Sequence, residues 1–181
     1  SGAKVVAVGS KREQEFSLAL GVSKHDIRIL VGKEGLNALA EMPESKVVVT
    51  GIVGAAGLVP TLKAIRAGKK VLIANKEPLV MMGSEIMREA ALSGATIIPL
   101  DSEHNAVFQC LPDELRGNLA SLGTEAGNTE IKRCGIRKLI LTASGGPFLD
   151  YPKELLSAVT PDAAAAHPRW QMGRKISIDS A

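Results

Sequence analysis

The chain has 181 residues, 45% hydrophobic and 23% charged, which is typical of a globular protein with one or two domains and a substantial core. Its net charge of +3 is mild, and no basic run is interleaved with aromatic residues, which argues against nucleic-acid binding. The apolar stretches are too short to span a bilayer, and two cysteines without metal-ligand spacing favour a reduced, cytoplasmic protein.

Strand-length apolar segments alternate with helical patterns along the first hundred residues. The predicted strands are Lys4–Val8, Asp26–Val31, Lys46–Val53, Lys70–Ala74 and Thr96–Leu100. The predicted helices are Lys11–Leu20, Glu34–Met42, Leu58–Ala67 and Leu79–Leu92. This alternation is typical of right-handed βαβ crossovers, so we predict an α/β fold with a mostly parallel sheet.

The pattern changes after residue 100, where we place a domain boundary. A helix is predicted over Glu103–Leu111, and an irregular connection over Arg116–Ile136. Arg137–Thr142 is predicted to be a strand, and Pro152–Val159 a short helix.

Two carboxylates follow the fifth predicted strand, where Asp101 and Glu103 flank Ser102. In a parallel sheet, ligands collect at the carboxyl ends of the strands. Carboxylate oxygens suit Mg²⁺ or Mn²⁺, which such sites bind together with substrate oxygens. The alternative is that Asp-Ser caps the next helix, with Glu103 in its first turn.

Polar residues also follow the fourth predicted strand. Lys76 can neutralise or polarise a substrate oxygen there, and Asn75 can hydrogen-bond a cofactor amide or ribose. The alternative is a solvated turn with Glu77 near the positive end of a helix. The glycine-rich turn Gly51–Leu58 lets the backbone approach phosphates, although such turns also serve tight helix–strand packing.

Two later segments carry further candidates. Ser144 and the two glycines after it offer a hydroxyl and backbone donors, as an anion-binding nest or an ordinary turn does. Ser180 can add a second hydroxyl. The segment His167–Gly173 is predicted to be a loop in which Trp170 either closes over a ligand or serves as a buried anchor.

Taken together and in order, five of these segments closely resemble the 1-deoxy-D-xylulose 5-phosphate reductoisomerase family. The resembling segments are Gly51–Leu58, Ala74–Glu77, Leu100–Asn105, Ser144–Phe148 and His167–Ala181. The resemblance implies a partial NADPH-binding Rossmann-like domain over residues 1–100 and part of an α/β catalytic domain with a flap loop over residues 101–181. Family members use NADPH with Mg²⁺, Mn²⁺ or Co²⁺, are usually homodimers, and act in the bacterial cytoplasm or in a plastid-type organelle.

The resemblance also implies a role for individual residues. The catalytic residues it implies are Lys76, Asp101, Glu103 and His167, of which Asp101 and Glu103 are the metal ligands. The cofactor-binding residues it implies are Asn75, Glu77 and Gly173. The substrate-binding residues it implies are Lys76, Ser102, Glu103, Ser144, His167, Trp170 and Ser180. The implied reaction rearranges 1-deoxy-D-xylulose 5-phosphate, a sugar phosphate, and reduces the product with NADPH to 2-C-methyl-D-erythritol 4-phosphate, for isoprenoid biosynthesis.

The chain departs from the family pattern in three places. It lacks the first strand and glycine-rich turn that open the family's cofactor domain, and Lys11–Lys24 is shorter than the family leads us to expect. It also stops before the family's third metal carboxylate. We therefore expect an interior piece of a longer enzyme, inactive alone. Two alternatives remain open: another sugar-phosphate dehydrogenase on the same scaffold, or a catalytically incompetent fragment.

Overall fold

A computed structural model describes residues 2–9, 27–117, 119, 125–143, 145–169, 171, 173, 174 and 177. The strands are β1 (Val5–Val8), β2 (Arg28–Val31), β3 (Val47–Thr50), β4 (Lys70–Ile73) and β5 (Thr96–Pro99). The α-helices are α1 (Gly32–Glu41), α2 (Leu58–Arg66), α3 (Glu77–Ser93), α4 (Ser102–Cys110), α5 (Asp113–Arg116), α6 (Glu125–Arg133) and α7 (Pro161–Ala164). Short 3₁₀ helices cover Gly54–Gly57 and Lys153–Ala158. The predicted helix Lys11–Leu20 lies outside the described residues.

All described strands pair in parallel, which confirms the predicted fold class. β1 pairs with β2, with Val5 opposite Arg28. β4 lies between β3 and β5 in a second sheet, in which Lys70 is opposite both Val47 and Thr96. Each connection within this sheet carries a helix, as parallel strands require. The sequence predicts one sheet, whereas the described strands form two.

A cavity of about 440 Å³ lies between these two sheets. Its apolar lining includes Val5 of β1, Leu36 and Ala40 of α1, and Val47 and Val49 of β3. Val47 and Val49 are 51% and 62% exposed, so the outer strand β3 presents apolar side chains that the described residues leave largely uncovered. Edge strands of this kind are open to pairing with a further strand.

The core of the first compact unit is built from β4 and the helices that cross it. Ile65 of α2, Val71 and Ile73 of β4, and Ile86 and Ala90 of α3 are each at most 3% exposed. Burying an aliphatic side chain of this size contributes about 1.5–3 kcal/mol relative to its exposure. The carboxyl end of β4 is therefore held by the best-packed part of the chain.

Packing divides the chain into two compact units, Ser1–Leu139 and Ile140–Ala181. This division does not coincide with residue 100, and the predicted domain boundary there stays a prediction. None of the described helices is long and apolar enough to cross a membrane.

Two predictions beyond residue 115 were wrong. The irregular connection predicted over Arg116–Ile136 contains α6, whose residues are mostly polar but keep a helical spacing of apolar and polar positions. An ion pair on its surface, from Arg133 Nη2 to Glu130 Oε1 at 2.5 Å, adds a small stabilisation. The strand predicted over Arg137–Thr142 pairs with no described residue, and Ile140 is 68% exposed. β propensity indicates which residues suit a strand, but it does not supply a neighbour to pair with.

Candidate functional site

The loops that follow β3, β4 and β5 lie together at the carboxyl ends of the strands, along one edge of the three-stranded sheet. The Ala74 amide donates to the Thr50 carbonyl at 2.9 Å, and the Leu100 amide donates to the Ile73 carbonyl at 2.8 Å. These bonds continue the parallel pairing by one residue beyond each strand. They therefore bring the loop that begins with Asn75 beside the loop that begins with Asp101, as the sequence predicts.

Asp101 begins α4 as its N-cap residue. Its Oδ1 accepts a hydrogen bond from the His104 amide at 3.2 Å and lies 2.5 Å from His104 Nδ1. The helix-capping interpretation is thus confirmed, and it does not exclude metal binding, because both contacts use the same carboxylate oxygen, Oδ1. Capping instead fixes the direction in which the carboxylate points.

The donor set at this edge suits a hard divalent cation. Asp101 is 23% exposed at its side chain and Glu103 is half-buried, while Ser102 between them is exposed. Within the described ranges, no group of three or more His, Cys, Asp or Glu side chains is arranged to hold a metal. Two carboxylates fit Mg²⁺ or Mn²⁺ nevertheless, since these ions commonly take one or two protein carboxylates and complete their shell with water and substrate oxygens.

Asn75 is buried, at 7% exposure. Its Nδ2 donates to the Ile52 carbonyl at 2.5 Å, whereas its Oδ1 is buried and accepts no hydrogen bond from any residue that the structure describes. An acceptor left in this state costs about 1–3 kcal/mol. A ligand that brings an amide N–H or a hydroxyl to this position would satisfy it.

Gly57 makes this arrangement possible. A Cβ at residue 57 would lie 2.6 Å from the Ile52 carbonyl oxygen and 3.1 Å from Asn75 Nδ2. No other residue type therefore fits between the end of β3 and the Asn75 amide without a backbone shift. The Gly57 carbonyl also accepts a hydrogen bond from Thr61 Oγ1 at 2.6 Å, which anchors the turn to α2.

Lys76 and Glu77 begin α3 at the same edge. Lys76 is exposed, and its carbonyl accepts the first hydrogen bond of the helix, from the Val80 amide at 3.0 Å. Glu77 is half-buried in the first turn, where the helix dipole favours a negative charge. The solvated-turn interpretation therefore describes Lys76, but not the buried Asn75 beside it.

The second compact unit carries the remaining described candidates. His167 is half-buried, and its Nδ1 accepts a hydrogen bond from the Arg169 amide at 3.1 Å, which orients the ring. Gly173 has a φ of 84°, a conformation that favours glycine, and its carbonyl accepts bonds from both the amide and the Oγ of Ser177. Ser177, which sequence analysis did not single out, is 3% exposed.

The turn after residue 144 contains two successive glycines with positive φ, and the anion-binding role of this segment stays a prediction. Gly145 and Gly146 have φ values of 84° and 33°, and a Cβ at residue 145 would lie 2.6 Å from Leu149 Cδ2. Three predicted substrate-binding residues lie outside the described residues: Ser144, Trp170 and Ser180.

Sequence analysis also left His104 and Asn105 without a role. Both contact the loop that carries the carboxylates, His104 through Asp101 and Asn105 through the carbonyl of Pro99 at 2.7 Å. The signal that could have identified them is their spacing, three and four residues after the N-cap, where helix geometry returns side chains to the start of the helix.

Two family models match the chain. The model described as 1-deoxy-D-xylulose 5-phosphate reductoisomerase matches residues 1–83, and the model of that enzyme's C-terminal domain matches residues 97–181. Among curated proteins, the chain is 51% identical to the reductoisomerase of Methylococcus capsulatus over 175 residues and 49% identical to that of Pseudomonas syringae over 174 residues. These matches cover 97% and 96% of the chain, but only 40% of each relative.

Solved structures of the same enzyme share the fold. A crystal structure of DOX-P reductoisomerase in complex with NADPH, fosmidomycin and magnesium matches 98% of the chain with a TM-score of 0.81 and 42% identity. The Zymomonas mobilis enzyme in complex with NADPH matches 99% with a TM-score of 0.77 and 36% identity. The chain covers 42% and 41% of these two structures, so it spans about two fifths of its relatives.

Proposed function

Because the chain belongs to the 1-deoxy-D-xylulose 5-phosphate reductoisomerase family, we propose that its complete protein converts 1-deoxy-D-xylulose 5-phosphate into 2-C-methyl-D-erythritol 4-phosphate. The carbon skeleton of the substrate is rearranged, and the resulting aldehyde is reduced by hydride transfer from NADPH. Since the chain spans 40% of its curated relatives, the proposal concerns the complete protein and not these residues alone.

One observation carries this proposal, namely the hydrogen bond from the Leu100 amide to the Ile73 carbonyl. At 2.8 Å it joins the loop with the candidate metal ligands to the loop with the candidate cofactor and substrate contacts. A reaction that needs a metal-held substrate beside a nicotinamide requires such an arrangement. The bond supports it with backbone geometry, which does not depend on side-chain rotamers.

Asp101 and Glu103 would hold the divalent metal, Mg²⁺ or Mn²⁺, with Co²⁺ as a further candidate. When bound, such an ion supplies Lewis-acid polarisation of carbonyl and hydroxyl oxygens. Lys76 would add its ammonium charge at the same edge, where it can neutralise a substrate oxygen. Ser102, exposed between the two carboxylates, would donate a hydrogen bond from its hydroxyl to the substrate.

NADPH would be bound in part by the loop after β4. The buried, unsatisfied Oδ1 of Asn75 supports this, because it needs a donor and the relative of known structure from Zymomonas mobilis is in complex with NADPH. Glu77 would lie on the same side. We also propose a cofactor contact for Gly173, where a Cβ would meet no described atom within 4 Å.

His167, Ser144 and Ser180 would contact the substrate, the serines near its phosphate, and Trp170 would close over it as part of the flap. The half-buried ring of His167, oriented by the Arg169 amide, supports a positioned contact for this histidine. We also propose that the complete protein is a homodimer located in the cytoplasm or a plastid-type organelle, as the resemblance implies.

The test uses the complete protein with 1-deoxy-D-xylulose 5-phosphate, NADPH and either Mg²⁺ or Mn²⁺. We expect NADPH consumption that a chelator abolishes and that added metal restores, with the methylerythritol phosphate identified by mass spectrometry. A second sugar phosphate, offered in parallel, distinguishes the alternative. Reduction of that compound together with no turnover of 1-deoxy-D-xylulose 5-phosphate would overturn the proposal in favour of another dehydrogenase.

A further inference from the structure

We propose that Asn105 is a positioning residue, which holds the carboxylates of Asp101 and Glu103 in the arrangement that binds the divalent metal. The inference rests on the proposed function, because it presupposes that these two residues are metal ligands. It assigns Asn105 no contact with the metal itself.

The side chain of Asn105 closes the segment that carries the two carboxylates. Its Nδ2 donates to the Pro99 carbonyl at 2.7 Å, and its backbone amide donates to the Asp101 carbonyl at 2.9 Å. The first bond joins α4 directly to the last residue of β5. The segment from Pro99 to Asn105, which contains Asp101 in the loop and Glu103 in the first turn of α4, is therefore held at both of its ends.

The anchor at Pro99 is itself rigid. Pro99 pairs with Ile73 in the register of β4 and β5, and Ile73 is 3% exposed in the core. A hydrogen bond to the Pro99 carbonyl thus fixes α4 to β5, which is paired with the best-packed strand of the unit, β4. Any displacement of α4 relative to that strand would move both carboxylates.

Packing alone holds α4 only weakly. None of the nine residues of α4, all of which the structure describes, is buried. Directional hydrogen bonds therefore add to the packing of its half-buried residues in setting the position of this helix, and the Asn105 side chain makes one that reaches the strand. Its Oδ1 accepts from Gln109 Nε2, which fixes the amide with its donor towards Pro99.

Replacing a residue that orients metal ligands without binding the metal itself typically lowers the metal affinity about 10–100-fold. We expect this loss of Mn²⁺ affinity in Asn105→Ala of the complete protein, measured from the electron paramagnetic resonance signal of free Mn²⁺. Asn105→Leu, which fills a similar volume and suits a helix, should lose affinity equally. Cys110→Ala is the matched control, because the exposed Cys110 lies on the same helix outside the hydrogen bonds of Asn105, and this variant should bind Mn²⁺ as the unaltered protein does.

The steady-state kinetics separate a positioning residue from a ligand. In Asn105→Ala, kcat should recover towards that of the unaltered protein at saturating Mn²⁺, because both carboxylates remain, while the Mn²⁺ concentration for half-maximal rate rises. In Asp101→Asn, saturating Mn²⁺ should not restore kcat. A merely structural role would lower the melting temperature of the variants without changing their Mn²⁺ affinity.

The outcomes are distinguishable. If the unaltered protein binds no Mn²⁺, the proposed function fails. If it binds Mn²⁺, and folded Asn105→Ala or Asn105→Leu binds it with the same affinity, the role of Asn105 is overturned while the proposed function stands. Circular dichroism of each variant establishes that it is folded.

Discussion

Asn75 and Ile52 join the loops that follow two neighbouring strands, through a hydrogen bond of 2.5 Å from Nδ2 to the Ile52 carbonyl. The bond uses one end of a buried amide and leaves its other end, Oδ1, without a partner among the described residues. The donor end therefore has a structural task, whereas the buried acceptor end is the part of this side chain for which we propose a ligand contact.

We expect Asn75→Ala to weaken NADPH binding by the complete protein and to lower its unfolding free energy by less than the about 1 kcal/mol of one hydrogen bond, because the variant also removes the unsatisfied Oδ1. Isothermal titration with NADPH and urea unfolding measure the two effects. Thr50→Val is the matched control, since it removes another side-chain hydrogen bond at this edge, to the Leu72 carbonyl at 3.4 Å. If both variants lose stability but bind NADPH equally well, the Asn75 Oδ1 has no role in the cofactor site.

Gly57→Ala should destabilise the protein, because the added methyl would lie 2.6 Å from the Ile52 carbonyl oxygen and force a backbone shift. Gly83→Ala offers a direct comparison, since a Cβ there meets no described atom within 4 Å and the residue begins the second half of α3, after the kink at Met82. Alanine in a helix is favoured over glycine by roughly 0.5–1 kcal/mol. Opposite changes in melting temperature are expected, and equal changes would show that the turn at Gly57 is not tightly packed.

The sequence predicts the loops that follow β4 and β5 well, because local patterns determine where these strands end. The apolar segments Lys70–Ala74 and Thr96–Leu100 differ from β4 and β5 by a single residue at one end, so the positions of Asn75 and Asp101 follow directly. The hydrogen bond between Asn105 and Pro99 is a different matter, since six residues separate the partners and neither shows a periodic pattern.

Predictions were wrong where formation of an element depends on contacts that periodicity does not report. Arg137–Thr142 has the composition of a strand but no neighbour among the described residues, and hydrogen bonds to a neighbour are what make a strand. The residues of α6 show the reverse case, because so few of them are apolar that the helical spacing present in this segment is easily missed.

Lys69 gives the stability of the first unit a specific pH dependence. The side chain is 5% exposed and its Nζ donates to the Met42 carbonyl at 2.5 Å, at the end of α1. Burial, followed by the nearby charge of Lys46, lowers the pKa of Lys69 below its ordinary value of 10.5. The unfolded chain therefore binds more protons than the folded one between the lowered pKa and 10.5, and stability contributed by this group rises with pH across that window.

The measurement is urea unfolding of the unaltered chain and of Lys69→Met at a series of alkaline pH values. The unfolding free energy of the unaltered chain should increase relative to that of the variant as the pH rises towards 10.5. Lys70→Met, which alters an exposed lysine next to it, corrects for the loss of one positive charge. A difference between unaltered chain and Lys69→Met that stays constant with pH would contradict the assignment.

Asp101 allows the capping and metal-binding roles to be separated by two substitutions in the complete protein. Asp101→Ala should lose both, with a cost of about 1 kcal/mol in unfolding free energy for the cap. Asp101→Asn should keep the cap, since asparagine is an equally good N-cap residue, and should still lose turnover because it lacks the charge. Turnover of Asp101→Asn at the level of the unaltered protein, with Mg²⁺ or Mn²⁺, would show that Asp101 is only a cap.

The cavity between β1 and β3 predicts where the first segment of the family's cofactor domain would pack. The resemblance implies a strand and a glycine-rich turn there, and an apolar strand would cover Val5, Val47 and Val49 in this cavity of about 440 Å³. Calorimetric titration of these 181 residues should therefore show weak NADPH binding, and a chain extended by that segment should bind more tightly and unfold at higher urea.

Val49→Asp tests the place of insertion, because Val49 is 62% exposed in the present structure and its replacement should cost little here but much in the extended chain. An equal effect of Val49→Asp in both chains would show that the added segment packs elsewhere, and tight NADPH binding by the 181 residues alone would show that the cofactor does not need it.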